Sequence, residues 1–115
     1  MAQKLSIEDV SPEEVWDFRE ETGMAFVTQN VCHLGAYVDG RLVALLEAES
    51  TPGGDTDVLV LTAAFTLPEF QGQGIMRALV EEAVECASPE RVEGYNIVSD
   101  GGAYLVEMAN KILEV

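Results

Sequence analysis

The segment Leu67-Pro68-Glu69-Phe70-Gln71-Gly72-Gln73-Gly74-Ile75-Met76-Arg77-Ala78-Leu79 carries the residues best suited to chemistry in this chain. An apolar run precedes it, and an amphipathic helical pattern follows. Pro68 fixes φ and lacks an N–H, so it helps end a strand's ladder. Gly72 and Gly74 let the backbone approach a ligand closely. The first turn of the following helix leaves N–H groups without intrahelical partners and points the positive end of its dipole at the loop. Such a junction is an anion site, suited to phosphate or pyrophosphate. Two glycines separated by one residue are costly without a ligand, which favours a functional loop over a structural turn. No Gly-Lys-Ser/Thr follows, so this is not the phosphate loop of nucleotide hydrolases. Arg77 stands where a dinucleotide fingerprint needs Gly or Ala, which removes that reading as well.

Other chemistry-bearing side chains are sparse. Cys32 and Cys86 lie far apart and form no CxxC pair, so neither a disulfide scaffold nor a zinc site is expected. His33 is the single histidine, which excludes His-rich metal or triad chemistry. No metal site is expected. His33 and Cys32 read as ordinary interior or edge residues. Glu47 and Glu49 alternate onto one strand face with Val43 and Leu45. An exposed strand end is their expected setting, with attraction of a cationic amine as the alternative. Glu81, Glu82 and Glu85 read as a solvated helix face.

The elements that must position the loop alternate along the chain. Residues 3–9 read as a first strand. Ser11 is suited to an N-cap, Pro12 to the first helical position and Glu14 to a capping box. That helix runs to about Thr22, with Gly23 as its C-cap. Val15 and Phe18 set its apolar face, and Trp16 widens it. Residues 34–50 read as a hairpin turning at Asp39-Gly40. The run Asp57–Leu67, nearly all apolar, suits a central strand covered on both faces. A helix is expected from about Gly74 to Ala87, with Ile75, Leu79, Val80, Ala83 and Val84 on one face. Ser88-Pro89 ends it. Val92–Ser99 reads as the last strand, and Asp100-Gly101-Gly102 opens a final helix reaching about Leu113. A helix between the last two strands implies a parallel pair with a right-handed crossover.

The order β-α-β-β-β-α-β-α predicts an α/β (α+β) fold, a mixed sheet with helices on both faces. The length of 115 residues suits a single domain, 1–115. Hydrophobic residues make up 48%, which argues against disorder despite a formal charge of −15. Lys4, Arg19, Arg41, Arg77, Arg91 and Lys111 are scattered singly against 21 Asp/Glu, which excludes nucleic acid and disfavours anionic membranes. No apolar run is long enough to span a bilayer, and the start MAQKLSIEDV has no apolar signal region. A cytoplasmic, reducing setting is the expectation.

The glycine loop in its strand-to-helix context resembles the acyl-CoA loop of the GNAT-type N-acetyltransferase superfamily. Thr66-Leu67-Pro68 is similar to that family's Val-x-Pro, and Gln71-Gly72-Gln73-Gly74-Ile75-Met76 to its Gln/Arg-x-x-Gly-x-Gly/Ala. The element order resembles the family over most of the chain. The resemblance implies acetyl-CoA as co-substrate, with Phe65 and Thr66 against the pantetheine arm and Gln71, Gly72, Gln73, Gly74, Ile75 and Met76 around the pyrophosphate. It implies direct acetyl transfer to an amine, on a small molecule or a protein, in a ternary complex without an acyl-enzyme. The acid excess makes a cationic acceptor reasonable.

Three departures from the family pattern bear on this reading. Met76 stands where the family prefers Gly or Ala, and either narrows the pocket or turns away. Asp100, Ala103 and Glu107 stand where the family often has Asn, Ala and Tyr. Asp100 is carried as cofactor-binding. Tyr104 is the candidate replacement for the missing thiolate-protonating tyrosine, with core packing as its alternative role. The family normally adds a strand hairpin after the last helix, and here no C-terminal hairpin is expected. That unfinished edge makes a homodimer a conceivable assembly. Asp55 and Asp57 lie near the strand where the family often places an acid, but read as a solvated loop. A non-catalytic acyl-CoA-binding or protein-interaction module on the same fold is the alternative function.

Overall fold

The computed structural model describes residues 5–23, 26, 32–51, 55–87, 89–94 and 102–113. The elements are β1 (Leu5–Asp9), α1 (Pro12–Thr22), β2 (Cys32–Val38), β3 (Arg41–Thr51), β4 (Asp55–Thr66), α2 (Ile75–Ala87), β5 (Arg91–Gly94) and α3 (Gly102–Leu113). They form one five-stranded sheet in the order β1-β2-β3-β4-β5. The first four strands pair antiparallel, and β4 pairs parallel with β5. This is the expected mixed architecture. Of the expected last strand, residues 95–99 lie outside the described residues.

Local signals act as their chemistry requires. Ser11 sits at φ −70°, ψ 156° and its hydroxyl oxygen accepts the Glu14 N–H at 3.3 Å, capping α1. Gly23, at φ 73°, ends the helix with its N–H on the Arg19 carbonyl at 2.7 Å. The β2–β3 turn places both Asp39 (φ 52°) and Gly40 (φ 85°) in the left-handed region, as a two-residue hairpin turn needs.

Val15 and Phe18 are buried, three residues apart on one helical face. Trp16 corrects an expectation: it does not widen that face but is 53% exposed, with the Arg19 guanidinium 5.0 Å from its ring centroid. One step along a helix rotates a side chain about 100°, which carries position 16 off the buried stripe.

Four consecutive residues of β3, Val43, Ala44, Leu45 and Leu46, are buried, so both sheet faces are covered there. On one face Phe18 of α1 meets Phe65 of β4, ring centroids 6.3 Å apart. α2 packs across β2, β3 and β4, while α3 packs on α2 and β5. Asn110 of α3 does more than pack. Its Oδ1 accepts the Val92 N–H and its Nδ2 donates to the Val92 carbonyl, each at 2.9 Å. A side-chain amide here stands in for a strand, because it offers a peptide's own donor and acceptor pair. The outward polar groups of β5 at Val92 are thereby occupied from within the chain.

Candidate active site: the loop between β4 and α2

The loop grows directly out of the end of β4. Leu67 is buried and its N–H donates to the Val43 carbonyl at 2.9 Å, anchoring the strand end to β3. Pro68–Phe70 then form one turn of 3₁₀ helix. The Gln71 side chain reaches back, donating to the Thr66 carbonyl at 2.9 Å, and the Gln73 side chain donates to the Glu69 carbonyl at 3.4 Å. Both glutamines thus brace the loop's own backbone.

Gly72 (φ 79°) and Gly74 (φ 78°) both occupy the left-handed region. A Cβ built at either meets nothing within 4 Å. The demand for glycine is therefore conformational, and the space in front of the backbone stays open. The Ala78 N–H to Gly74 carbonyl bond, 3.1 Å, starts α2. The N–H groups of Ile75, Met76 and Arg77 precede that bond and have no acceptor within the helix. They lie at the positive end of a 13-residue helix dipole. Gln71 to Gly74 are exposed. The arrangement fits an anion with several acceptor oxygens, such as a pyrophosphate.

The side chains at this junction are committed elsewhere. Ile75 is buried in the core, and Met76 is half-buried and packed against it. Met76 therefore packs toward the core, the second of the two alternatives its size raised. The Phe65 ring packs on Phe18, which leaves β4 to offer a ligand its backbone. Thr66 is half-buried at the strand end, opposite Ala44. Asp100 lies outside the described residues. Tyr104 falls within α3, and its side chain lies outside what is described.

β4 also carries a bulge. Ala63 pairs with Glu47 and Leu61 with Ala48, so Thr62 is an extra residue. Leu61 is at the same time the last described partner of β5, opposite Gly94, while β4 runs on to Thr66.

Glu47 departs from its expected setting, while His33 is an interior residue as expected. Glu47 is not at an exposed strand end but 3% exposed, and His33 beside it is 8% exposed. His33 Nε2 lies 3.0 Å from Glu47 Oε2, and the Thr62 hydroxyl donates to Glu47 Oε1 at 2.7 Å. The alternation of Glu47 with Val43 and Leu45 was the available signal, since both of those are fully buried.

A strand that ends in a braced glycine loop, a helix start with unpaired N–H groups and a parallel neighbour strand together make an anion-binding junction. The acetyltransferase (GNAT) family model matches residues 2–108. The chain belongs to the acetyltransferase (GNAT) family. It is an acyltransferase by that membership.

The GNAT fold is equally plain in solved structures. The structure is similar to ribosomal-protein-alanine N-acetyltransferase from Brucella melitensis biovar Abortus 2308, with TM-score 0.69 and 20% identity over 90% of this chain and 89% of that one. It is similar to aminoglycoside N-acetyltransferase AAC(6')-Iy in complex with CoA, with TM-score 0.64 and 14% identity over 97% and 88% of the two chains. A third is the N-acetyltransferase of Thermoplasma acidophilum in complex with coenzyme A, with TM-score 0.60 and 14% identity over 74% and 72%. No curated protein matches the sequence. Among the described residues, no helix is long and apolar enough to cross a membrane. Among the same residues no group of three His, Cys, Asp or Glu is arranged to hold a metal ion.

Proposed function

We propose that this GNAT protein moves an acetyl group from acetyl-CoA directly to an amine within a ternary complex. The observation that carries the reading is the loop backbone. Two left-handed glycines with clear space at their Cβ positions lead into α2, whose first N–H groups have no acceptor within the helix. In this reading Gln71, Gly72, Gln73, Gly74, Ile75 and Met76 hold the pyrophosphate through backbone N–H groups. The pantetheine arm lies along the β4 backbone at Phe65 and Thr66, and Asp100 is assigned to the cofactor as well.

The amine nitrogen attacks the thioester carbonyl, the carbon–sulfur bond breaks, the amine's proton leaves to solvent, and the thiolate takes up a proton. Little of this needs a nucleophilic side chain. Orientation and backbone donors near the carbonyl supply most of the barrier reduction. Tyr104 is assigned the proton delivered to the thiolate. The acceptor is an amine of a small molecule or a protein. A net charge of −15 favours one that is cationic. The same charge repels CoA, so the loop must offset it locally.

Calorimetry with acetyl-CoA tests the reading. Binding is expected, and no heat at millimolar ligand at both low and high salt would sink it. Gly74→Asp places a carboxylate among the loop amides where the side chain has room, at a left-handed φ of 78° that costs Asp about 1 kcal/mol. The variant is expected to fold and to lose acetyl-CoA affinity at least about tenfold, since a like charge replaces an open anion site. Retained affinity would locate the ligand elsewhere. Release of free CoA across a panel of amines then reads turnover.

A further inference from the structure

The most heavily buried polar cluster described in the molecule lies one strand away from the loop. Glu47 of β3, 3% exposed, stands between His33 of β2 and Thr62 of β4. Its Oε2 lies 3.0 Å from His33 Nε2. Its Oε1 accepts the Thr62 hydroxyl at 2.7 Å, and that hydroxyl also lies 3.3 Å from the Glu47 carbonyl oxygen. The Phe26 ring closes one side, its centroid 6.4 Å from that of His33. Three neighbouring strands are joined through one carboxyl group.

Such a cluster is a poor device for stability alone. Burying an acid and an imidazole carries a desolvation cost that their pairing barely repays, and apolar side chains of similar size do as well or better. Its position is informative instead. Thr62 is the extra residue of the β4 bulge. A bulge twists its strand and re-aims the residues that follow. Those residues are Ala63 to Thr66, the stretch leading into the loop. The bulge sits at the level of Leu61 and Gly94, the last described pair between β4 and β5.

We propose that Glu47, oriented by His33, is a positioning residue for acetyl transfer. It grips the Thr62 hydroxyl, holds the bulge in one geometry and so sets the direction of the β4 backbone groups that receive the pantetheine arm. The inference rests on the acetyl-CoA reading above and adds to it the device that shapes the strand. Glu47 and His33 touch neither the co-substrate nor the acceptor in this scheme. They act through Thr62.

Thr62→Val keeps the branched shape and removes the hydroxyl, while Thr62→Ser keeps the hydroxyl. Calorimetric affinity for acetyl-CoA and the thermal midpoint are measured for the wild type and both variants. Thr62→Val is expected to bind about tenfold more weakly, the scale of one well-made hydrogen bond, and Thr62→Ser to recover to within about twofold of wild type. Glu47→Asp draws the carboxyl back by one methylene and carries the same expected loss, which keeps the test open should Thr62→Val fail to fold. A folded Thr62→Val or Glu47→Asp that binds like the wild type overturns the proposal, as does a Thr62→Ser as weak as Thr62→Val. A wild-type chain that binds no acetyl-CoA overturns the parent reading itself, a result separate from any difference among variants.

Discussion

Tyr37 shows how much one side chain settles at the residue scale. Its hydroxyl donates to Glu14 Oε2 at 2.8 Å, tying β2 to α1. Burial above all, then the hydrogen bond and charge of Glu14, raises its pKa well above the ordinary 10.0. The folded state therefore holds the phenol proton more tightly than the unfolded chain does. That contribution is complete below about pH 10 and is lost as pH climbs toward the folded-state value, because the unfolded chain then binds fewer protons. Denaturant unfolding is expected to show stability falling above about pH 10, with a shallower fall in Tyr37→Phe. Near neutral pH that variant is expected to be about 1 kcal/mol less stable. Equal alkaline slopes for the two proteins would remove Tyr37 from the account. Glu47 is the contrasting case, for nothing in residue type separates it from a surface glutamate. Its burial comes from the strands on either side.

At the element scale, short-range rules and long-range pairing divide the work. The N-cap Ser11, the C-cap Gly23 and the Asp39-Gly40 turn were legible in the sequence because each interaction closes within a few residues. The β2–β3 register was not. Continuing Val38↔Arg41 one-for-one would set His33 opposite Leu46, but an irregularity between Ala36 and Tyr37 shifts the pairing so that Glu47 arrives instead. The Asn110 cap on β5 is similarly invisible locally, since Val92 lies 18 residues away. Asn110→Ala leaves the Val92 N–H and carbonyl without those partners. It is expected to cost about 1–3 kcal/mol in denaturant unfolding and to speed hydrogen exchange at the Val92 amide. Unchanged exchange there would show that the strand edge holds without its cap.

At the scale of the whole molecule, the charge of −15 acts as self-repulsion. Salt shortens the reach of that repulsion to about 10 Å at 0.1 M. The thermal midpoint is expected to rise by a few degrees between about 10 mM and about 200 mM sodium chloride, as screening relieves the folded state. A midpoint that falls with salt would mean that attractive pairs outweigh the acid excess. The attractive pairs described, Arg41 with Glu21 and Glu69, Arg77 with Glu81 and Lys111 with Glu107, are mostly solvent-exposed, where each is worth little.

By itself, the sequence determined the element order, the parallel last pair and the place of the glycine loop. Hydrophobic period, caps and turn residues act over short stretches of chain, and the junction at Gly72 and Gly74 follows from backbone conformations that glycine adopts readily. Tertiary structure alone decided what the loop's neighbours do. It packed Met76 against the core, seated Phe65 on Phe18, closed the outward groups of Val92 with Asn110 and joined His33, Glu47 and Thr62 across three strands. The last of these depends on two irregularities in strand register, at Ala36/Tyr37 and at Thr62. A one-residue shift changes every partner beyond it, and no local pattern announces where it falls.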